Sequence, residues 1–415
     1  MGDYRPRIVE QRIQGRLRTH GAVLIAGAKA VGKTTTAQTF AASQVRLDQD
    51  RPALEAARTD PRLVLEGATP RLIDEYQLAP ELWNAVRGRV DELGGKGLFL
   101  LTGSATPDDE PRTHSGARRI AVVPMRTLTL FERGLSSGRT SVGGLLDGAP
   151  VDAGPHDFAV ADAVEALAVG GWPDNLRLSP TDALDANADY LDVIVNTDVS
   201  RVDGVRRDPD GVRRLLASYA RNVATSASLR TIGRTSEPGP SETTLHDYMR
   251  VLKRLFLVED QESWKPSLRS RVRLSATPKR HLADPSLAVA ALGATPKRLL
   301  GPEIELAGLL FESQVIHDLR VYAEPHRASV RFYRDNKGLE VDAVVEATDG
   351  RWIAVEVKLG HHRVEEAAHN LLALRDKLAE EAAAACGALV VVVADSPTYR
   401  RPDGVLVTSV AALGP

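Results

Sequence analysis

VLIAGAKAVGKTTT, residues 23–36, decides how the first third of this chain is read. The apolar run AVLIA (22–26), closed by Gly21 and Gly27, has the length and composition of a strand buried on both faces in a parallel sheet. GAKAVGKT (27–34) follows at once with the spacing of a phosphate-binding loop. Gly27 and Gly32 let the backbone curl so that the N–H groups of Ala28, Ala30 and Val31 face phosphate oxygens. Lys33 reaches the β- and γ-phosphates, and the Thr34 hydroxyl can ligate Mg²⁺. A helix starting near Lys33 and running through Thr35 adds the positive end of its dipole.

Downstream, PRLIDEYQ (70–77) supplies the carboxylates such a loop needs. Its LID is a second short apolar strand that delivers Asp74 to the Mg²⁺ shell, with Glu75 beside it to orient and activate the attacking water. A third strand, GLFLLTGSA (97–105), ends in Thr102 and Ser104, which can either sense the γ-phosphate or cap a following helix. In HSGARRIAVVPMRTLTLFE (114–132), Arg118, Arg119 and Arg126 flank a strand-like IAVVPM. Arg119 is the preferred arginine to neutralise transition-state charge at a neighbouring copy's phosphate, the alternative being a surface arginine.

At 415 residues the chain is long enough for two or three domains. With 43% hydrophobic and 26% charged residues it has the balance of a water-soluble globular protein. The net charge of −2 argues against a polycationic packaging protein, although a local basic groove remains compatible with it. Cys386 is the single cysteine, so neither an internal disulfide nor a cysteine-rich zinc site can form. The N-terminus lacks a signal-peptide core, and no apolar run nears the ~18 residues of a membrane span, so the expected location is the cytoplasm.

Residues 136–158 are rich in Gly, Ser and Asp and read as a linker. Helical periodicity then dominates, and SETTLHDYMRVLKRLFLVED (241–260) opens on a Ser cap with Leu245, Tyr248, Leu252, Leu255 and Phe256 at helical spacing. That helix and the stretch after it suggest a winged helix, a recognition helix followed by a β-hairpin. Lys265, Arg269, Arg271, Arg273, Lys279 and Arg280 cluster there without an intervening acid, which suits a DNA backbone, a solvated hairpin or a protein-docking face.

The last third carries carboxylates where strands ordinarily want neutral side chains. GLLFESQVIHDLRVYAE (308–324) reads as an amphipathic helix with Glu312. VRFYRD (330–335), LEVDAVVEA (339–347) and WIAVEVKL (352–359) read as strands, and GALVVVVAD (387–395) as a buried strand after another helix. Glu356 and Lys358 are two apart and share a face, with Asp342 on the neighbouring strand. Glu312, Asp342 and Glu356 could hold Mg²⁺ with Glu340 as an alternative ligand, while Lys358 polarises a water aimed at phosphorus. The alternative is a retained fold with these residues ion-paired and no cleavage.

The loop GAKAVGKTT, RLIDEYQ, FLLTGSA and the later GGWP (170–173) together resemble prokaryotic AAA-like P-loop ATPases fused to a C-terminal domain of long-unassigned function. That C-terminal domain is similar to restriction-endonuclease-like nucleases of the PD-(D/E)xK type. The resemblance spans nearly the whole chain. It implies an α/β P-loop ATPase domain over 1–135, the linker at 136–158, a helical and winged-helix domain over 159–298, and an α/β restriction-endonuclease-like domain over 299–415. The expected function is a Mg²⁺-dependent ATPase acting on duplex or branched DNA as a homo-oligomer, with metal-dependent cleavage at the C-terminal centre. The competing reading is an ATP-switched regulator that binds DNA or protein without cutting.

Overall fold

A computed structural model describes residues 4–106, 117–152, 154–155, 157–266 and 277–415, and these fall into two compact units. One unit comprises residues 1–127 with the short segments 196–207 and 249–257. Its elements are α1 (Val9–Thr19), β1 (Ala22–Ala26), α2 (Lys33–Gln38), β2 (Ser43–Arg46), α3 (Arg51–Thr59), β3 (Arg71–Asp74), α4 (Leu82–Leu93), β4 (Phe99–Gly103) and β5 (Ile120–Pro124). The strands form one parallel sheet in the order β2-β3-β4-β1-β5. β1 and β4 are buried at every position, as expected of central strands covered on both faces. Because every strand runs the same way, Ala26, Asp74 and Gly103 end on one edge, where parallel α/β sheets bind ligands.

Two strand-distant segments complete this unit. Arg254 Nε donates to Thr106 O at 2.9 Å, Thr106 N returns a bond to Arg254 O at 2.9 Å, and the Arg254 guanidinium lies 3.6 Å from Asp203. Asp203 is also clamped by Arg207 at 2.7 Å.

The other unit begins with α5 (Leu130–Arg133), β6 (Thr140–Ser141) and α6 (Val142–Leu146). The stretch expected as a linker is therefore built in. Thr140 pairs with Leu413, Ser141 caps α6, and Val142, Leu145 and Leu146 are buried. α7 (Val160–Val169) and α8 (Pro180–Val193) follow, with α9 (Val199–Arg201) belonging to the first unit. Next come α10 (Pro209–Arg221), α11 (Leu229–Arg234), α12 (Glu242–Arg254), whose residues from Met249 on belong to the first unit, and an antiparallel ribbon of β7 (Val258–Gln261) and β8 (Lys279–Leu282). The ends are local chemistry: Asp208 caps α10 ahead of Pro209, and Ser241 Oγ accepts from Thr244 N at 3.2 Å.

GGWP has a packing role. Gly171 N donates to Asp284 Oδ2 at 2.9 Å and Trp172 Nε1 to Ser286 Oγ at 3.0 Å, tying the turn to α13 (Pro285–Ala291). A Cβ on Gly171 would lie 2.2 Å from Leu128 O, closer than any side chain tolerates.

After α14 (Pro296–Leu299) come α15 (Ile304–Tyr322), β9 (Ala328–Arg334), β10 (Glu340–Ala347), β11 (Trp352–Lys358), α16 (Val364–Asp376), α17 (Glu380–Ala384), β12 (Cys386–Val393), β13 (Tyr399–Arg400), β14 (Leu406–Ser409) and β15 (Leu413–Gly414). Six of these strands form a mixed sheet, β13-β14-β12-β11-β10-β9. Trp264, Trp352, Leu371, Leu374 and Val391 share its core. α15 differs from the amphipathic helix expected, since Glu312, Ser313, Gln314, His317 and Asp318 are all buried along with its apolar residues. Among the described residues no helix is long and apolar enough to cross a membrane.

Two glycine replacements separate packing from propensity. Gly171→Ala should cost about 1–3 kcal/mol by overpacking against Leu128 O. Gly88→Ala, in α4 with no atom within 4 Å of the new Cβ, should gain about 0.5–1 kcal/mol. Thermal unfolding of both variants checks the contrast, a lowered Tm for the first and a raised Tm for the second.

Candidate functional site

The loop between β1 and α2 turns on Ala30 and Gly32, both with left-handed backbone (φ 62° and 94°). Gly27 permits a close pass, since a Cβ there would lie 2.1 Å from Met125 O. Arg7, only 6% exposed, braces the loop by donating to Val31 O at 2.9 Å and to Arg126 O at 2.8 Å. Thr35 is exposed and Ala28 and Val31 are buried. Lys33 folds back over the loop, with Nζ 3.0 Å from Gly27 O and 2.7 Å from Ala28 O. Burial pushes its ammonium down to about 8, against the pull of Glu75 and Asp74.

Asp74 is the hub. It is 1% exposed, and its Oδ1 accepts from Thr34 Oγ1 at 2.8 Å and Thr102 Oγ1 at 2.5 Å, while Arg46 Nε lies 3.4 Å from Oδ2. β4 stands between β1 and β3 in the sheet, which is what puts Thr102 within reach of Asp74. Thr102 Oγ1 also accepts from Glu75 N at 3.0 Å. Glu75 takes left-handed backbone (φ 57°), and its carboxylate accepts from Ser104 Oγ at 2.9 Å and from Gln77. Thr102 and Ser104 thus hold the two carboxylates, a role the alternatives of γ-phosphate sensing and helix capping did not include. The pairing of the Thr34 hydroxyl with Asp74 is the donor set that Mg²⁺ takes beside a nucleotide, so these residues fit that ion.

A recess of about 680 Å³ opens beside Glu75 and Ser104, lined also by Lys29, Asp48, Asp198 and Arg201. Lys29 Nζ binds Asp198 Oδ1 at 2.6 Å, and Asp198 Oδ2 is buried with no hydrogen-bond partner among the described residues. Sequence reading missed Arg7 and Asp198, because their partners lie 24 and 169 residues away. Arg119 stands at the other end of the strands, one residue before the Ile120–Ala22 pair, and Nε binds Asp91 at 2.8 Å. Arg118 and Arg119 are therefore remote from this chain's own phosphate loop.

In the other unit the C-terminal carboxylates do converge, but around an amine. Lys279 Nζ lies 2.7 Å from Glu312 Oε1, 2.8 Å from Glu340 Oε1 and 3.0 Å from Asp342 Oδ1. Its side chain is 1% exposed. Burial alone would lower this ammonium, yet Glu312, Asp342 and Glu340 outweigh it and hold the pKa well above its usual value. Asp342 Oδ2 accepts from Val357 N at 2.9 Å. Burial would raise Asp342, but Lys279, Lys358 and that N–H keep it below the usual range. Lys358 Nζ lies 2.7 Å from Glu356 Oε2 and 3.8 Å from Asp342 Oδ2, and Asn370 Nδ2 donates to Glu356 Oε1 at 3.3 Å. Burial, reinforced by Asp342, raises both Glu312 and Glu356.

The expected ligand set is arranged differently here: Glu312 and Asp342 meet at Lys279, Glu356 meets Lys358, and among the described residues no group of three His, Cys, Asp or Glu is placed to hold a metal ion. Physically, Lys279 occupies the space between Glu312 and Asp342, and Lys358 bridges Asp342 and Glu356. Lys279 and Arg280 are also withdrawn from any phosphate-tracking cluster. Both are buried, and Arg280 Nη1 binds Asp260 at 2.6 Å. Lys265 is exposed, while Arg269, Arg271 and Arg273 lie outside the described residues.

The parallel sheet, the loop and the Asp74–Glu75 pair define a P-loop domain. Family comparison agrees, since residues 19–133 match the AAA domain family. Residues 160–298 and 307–413 match two domains of unknown function, DUF8612 and DUF4143. Uncharacterized proteins of Mycobacterium tuberculosis and Mycobacterium bovis are each 26% identical over 355 residues, covering 84% of this chain and 72% of theirs. A crystal structure of a DNA replication initiation factor aligns with 60% of this chain and 92% of its own, at 15% identity and a TM-score of 0.23. Residues 19–133 are thus similar to AAA domains, in keeping with the P-loop and parallel sheet found there.

Thr102 offers a direct test of how the carboxylates are held. Thr102→Val keeps the shape but leaves Glu75 N–H unpaired and Asp74 short of a donor, which should cost about 1–3 kcal/mol. Thr102→Ser should restore most of the loss. Thermal unfolding of both variants without nucleotide reads the difference.

Proposed function

We propose that this chain is a Mg²⁺-dependent ATPase that couples hydrolysis to handling DNA, and that its C-terminal domain serves binding rather than cutting. The observation that carries the ATPase reading is the Glu75 carboxylate held by Ser104 at 2.9 Å next to Asp74, which already shares a 2.8 Å hydrogen bond with Thr34. Thr34 and Asp74 would hold Mg²⁺, whose charge offsets that of the phosphates. Lys33 leaves the carbonyls of Gly27 and Ala28 to meet the β- and γ-phosphates, as the loop N–H groups take up the phosphate oxygens. Glu75 orients a water for attack and accepts its proton.

Arg119 lies at the strand ends opposite its own chain's loop, so the finger role proposed for it is at a neighbouring copy's phosphate within a homo-oligomer, the alternative being a surface arginine paired with Asp91. For DNA, support comes from α11 and the start of α12. Arg230 and Arg234 are exposed there and line a recess of about 570 Å³ together with Glu242 and His246. A helix start beside exposed guanidinium groups suits a phosphate backbone, with affinity that falls as salt rises.

The test is ATP turnover by the full chain with and without duplex DNA. Glu75→Gln should keep nucleotide affinity and lose roughly 100-fold or more of turnover, whereas Lys33→Ala should weaken both. Replacing Arg230 and Arg234 by Ala should leave basal turnover intact and remove any DNA stimulation. Turnover of wild-type size in Glu75→Gln overturns the assigned roles, and undiminished DNA stimulation in the double variant overturns the assigned contact.

A further inference from the structure

The carboxylate centre of the C-terminal unit is built around a cation that the chain itself supplies. Three elements aim at one point: Lys279 from β8, Glu312 from α15, and Glu340 with Asp342 from β10. An ammonium carries three N–H donors, and here three carboxylate oxygens lie within 3.0 Å of it. The wall behind it is apolar, with the Phe332 ring centroid 5.9 Å from Nζ.

Nor is Lys279 a detachable plug. Its ribbon is fastened to the domain on both strands. Gln261 Nε2 donates to Asp342 O at 2.9 Å, His281 Nδ1 lies 3.0 Å from Ser313 Oγ, and Arg320 Nη1 binds Glu259 at 2.7 Å. Just past β7, Trp264 N donates to Phe332 O at 2.6 Å, and its ring stands 5.2 Å from that of Trp352 in the core. The backbone that carries Lys279 is thus fixed to the domain, and its side chain is 1% exposed.

We infer that Lys279 permanently holds the place of a divalent metal in this centre, so that the wild-type chain takes no metal there and removing the ammonium opens a latent metal site. Glu312, Glu340, Asp342 and Glu356 bring four negative charges when ionised, Lys279 and Lys358 bring two positive ones, and Arg334 adds a third at the rim, 3.6 Å from Glu340. An ammonium balances charge but offers no open coordination position, so it can neither polarise a phosphoryl oxygen nor lower the pKa of a bound water as a metal does. The inference concerns the C-terminal unit alone and stands or falls independently of the nucleotide site.

The experiment uses the full chain without nucleotide and Mn²⁺ as the probe. Calorimetry of the wild type should find no Mn²⁺ binding that Asp342→Asn removes. Lys279→Met should lower Tm by roughly 5–15 °C, because the carboxylates lose their counter-charge. Mn²⁺ should recover much of that loss in Lys279→Met, leave the wild-type Tm unchanged, and recover nothing in the Lys279→Met, Asp342→Asn double variant. Should Lys279→Met fail to fold alone, refolding with and without Mn²⁺ gives the same reading, with folding only in the presence of Mn²⁺ expected. Asp342-dependent Mn²⁺ binding by the wild type overturns the inference. So does a Lys279→Met chain, folded or unfolded, that Mn²⁺ does not change.

Discussion

A carboxylate taken out of water must be met by donors or by a positive charge, and this constraint shapes both carboxylate centres of the chain. Asp74 and Asp342 are 1% and 6% exposed, each on a strand flanked by other strands. At Asp74 the partners are two hydroxyls and an arginine at 3.4 Å, groups that a nucleotide-bound metal can exchange with or join. At Asp342 the partners are the buried ammonium of Lys279, the half-buried one of Lys358 and a backbone N–H. Hydroxyl partners leave a site open to chemistry, whereas an ammonium fixed in the core closes it.

That difference follows from where the partners sit in the fold. Thr34 and Thr102 lie at the open edge of a parallel sheet, at the start of a helix and the end of a strand, where a ligand can approach. Lys279 enters from a ribbon sewn to β9 and α15 by hydrogen bonds and to the core by Trp264. A buried aspartate on a central strand is therefore met by hydroxyls in one unit and by ammonium groups in the other, and the aspartate alone does not reveal which.

Much of the first centre is legible in the sequence because its signal is local. GAKAVGKT and LIDE carry loop, helix start and carboxylates within a few residues of one another, and the apolar runs before them are the central strands observed. The strand order is not local. It places β4 between β1 and β3, and so brings the Thr102 hydroxyl to Asp74. Lys279 escaped for the same reason, since its partners lie 33 and 63 residues further on. Within its own neighbourhood it reads as one of a run of basic residues bound for solvent. One signal was available: Glu312, Glu340, Asp342 and Glu356 outnumber Lys358, so a converging centre lacked a positive charge.

The stoichiometry of bound Mn²⁺ tests this account most directly, read by electron paramagnetic resonance on the full wild-type chain with and without a non-hydrolysable ATP analogue. The account gives one Mn²⁺ per chain when the analogue is present and none when it is absent. A tightly held Mn²⁺ without nucleotide, or a second one with it, would contradict the claim that the two carboxylate centres differ in kind.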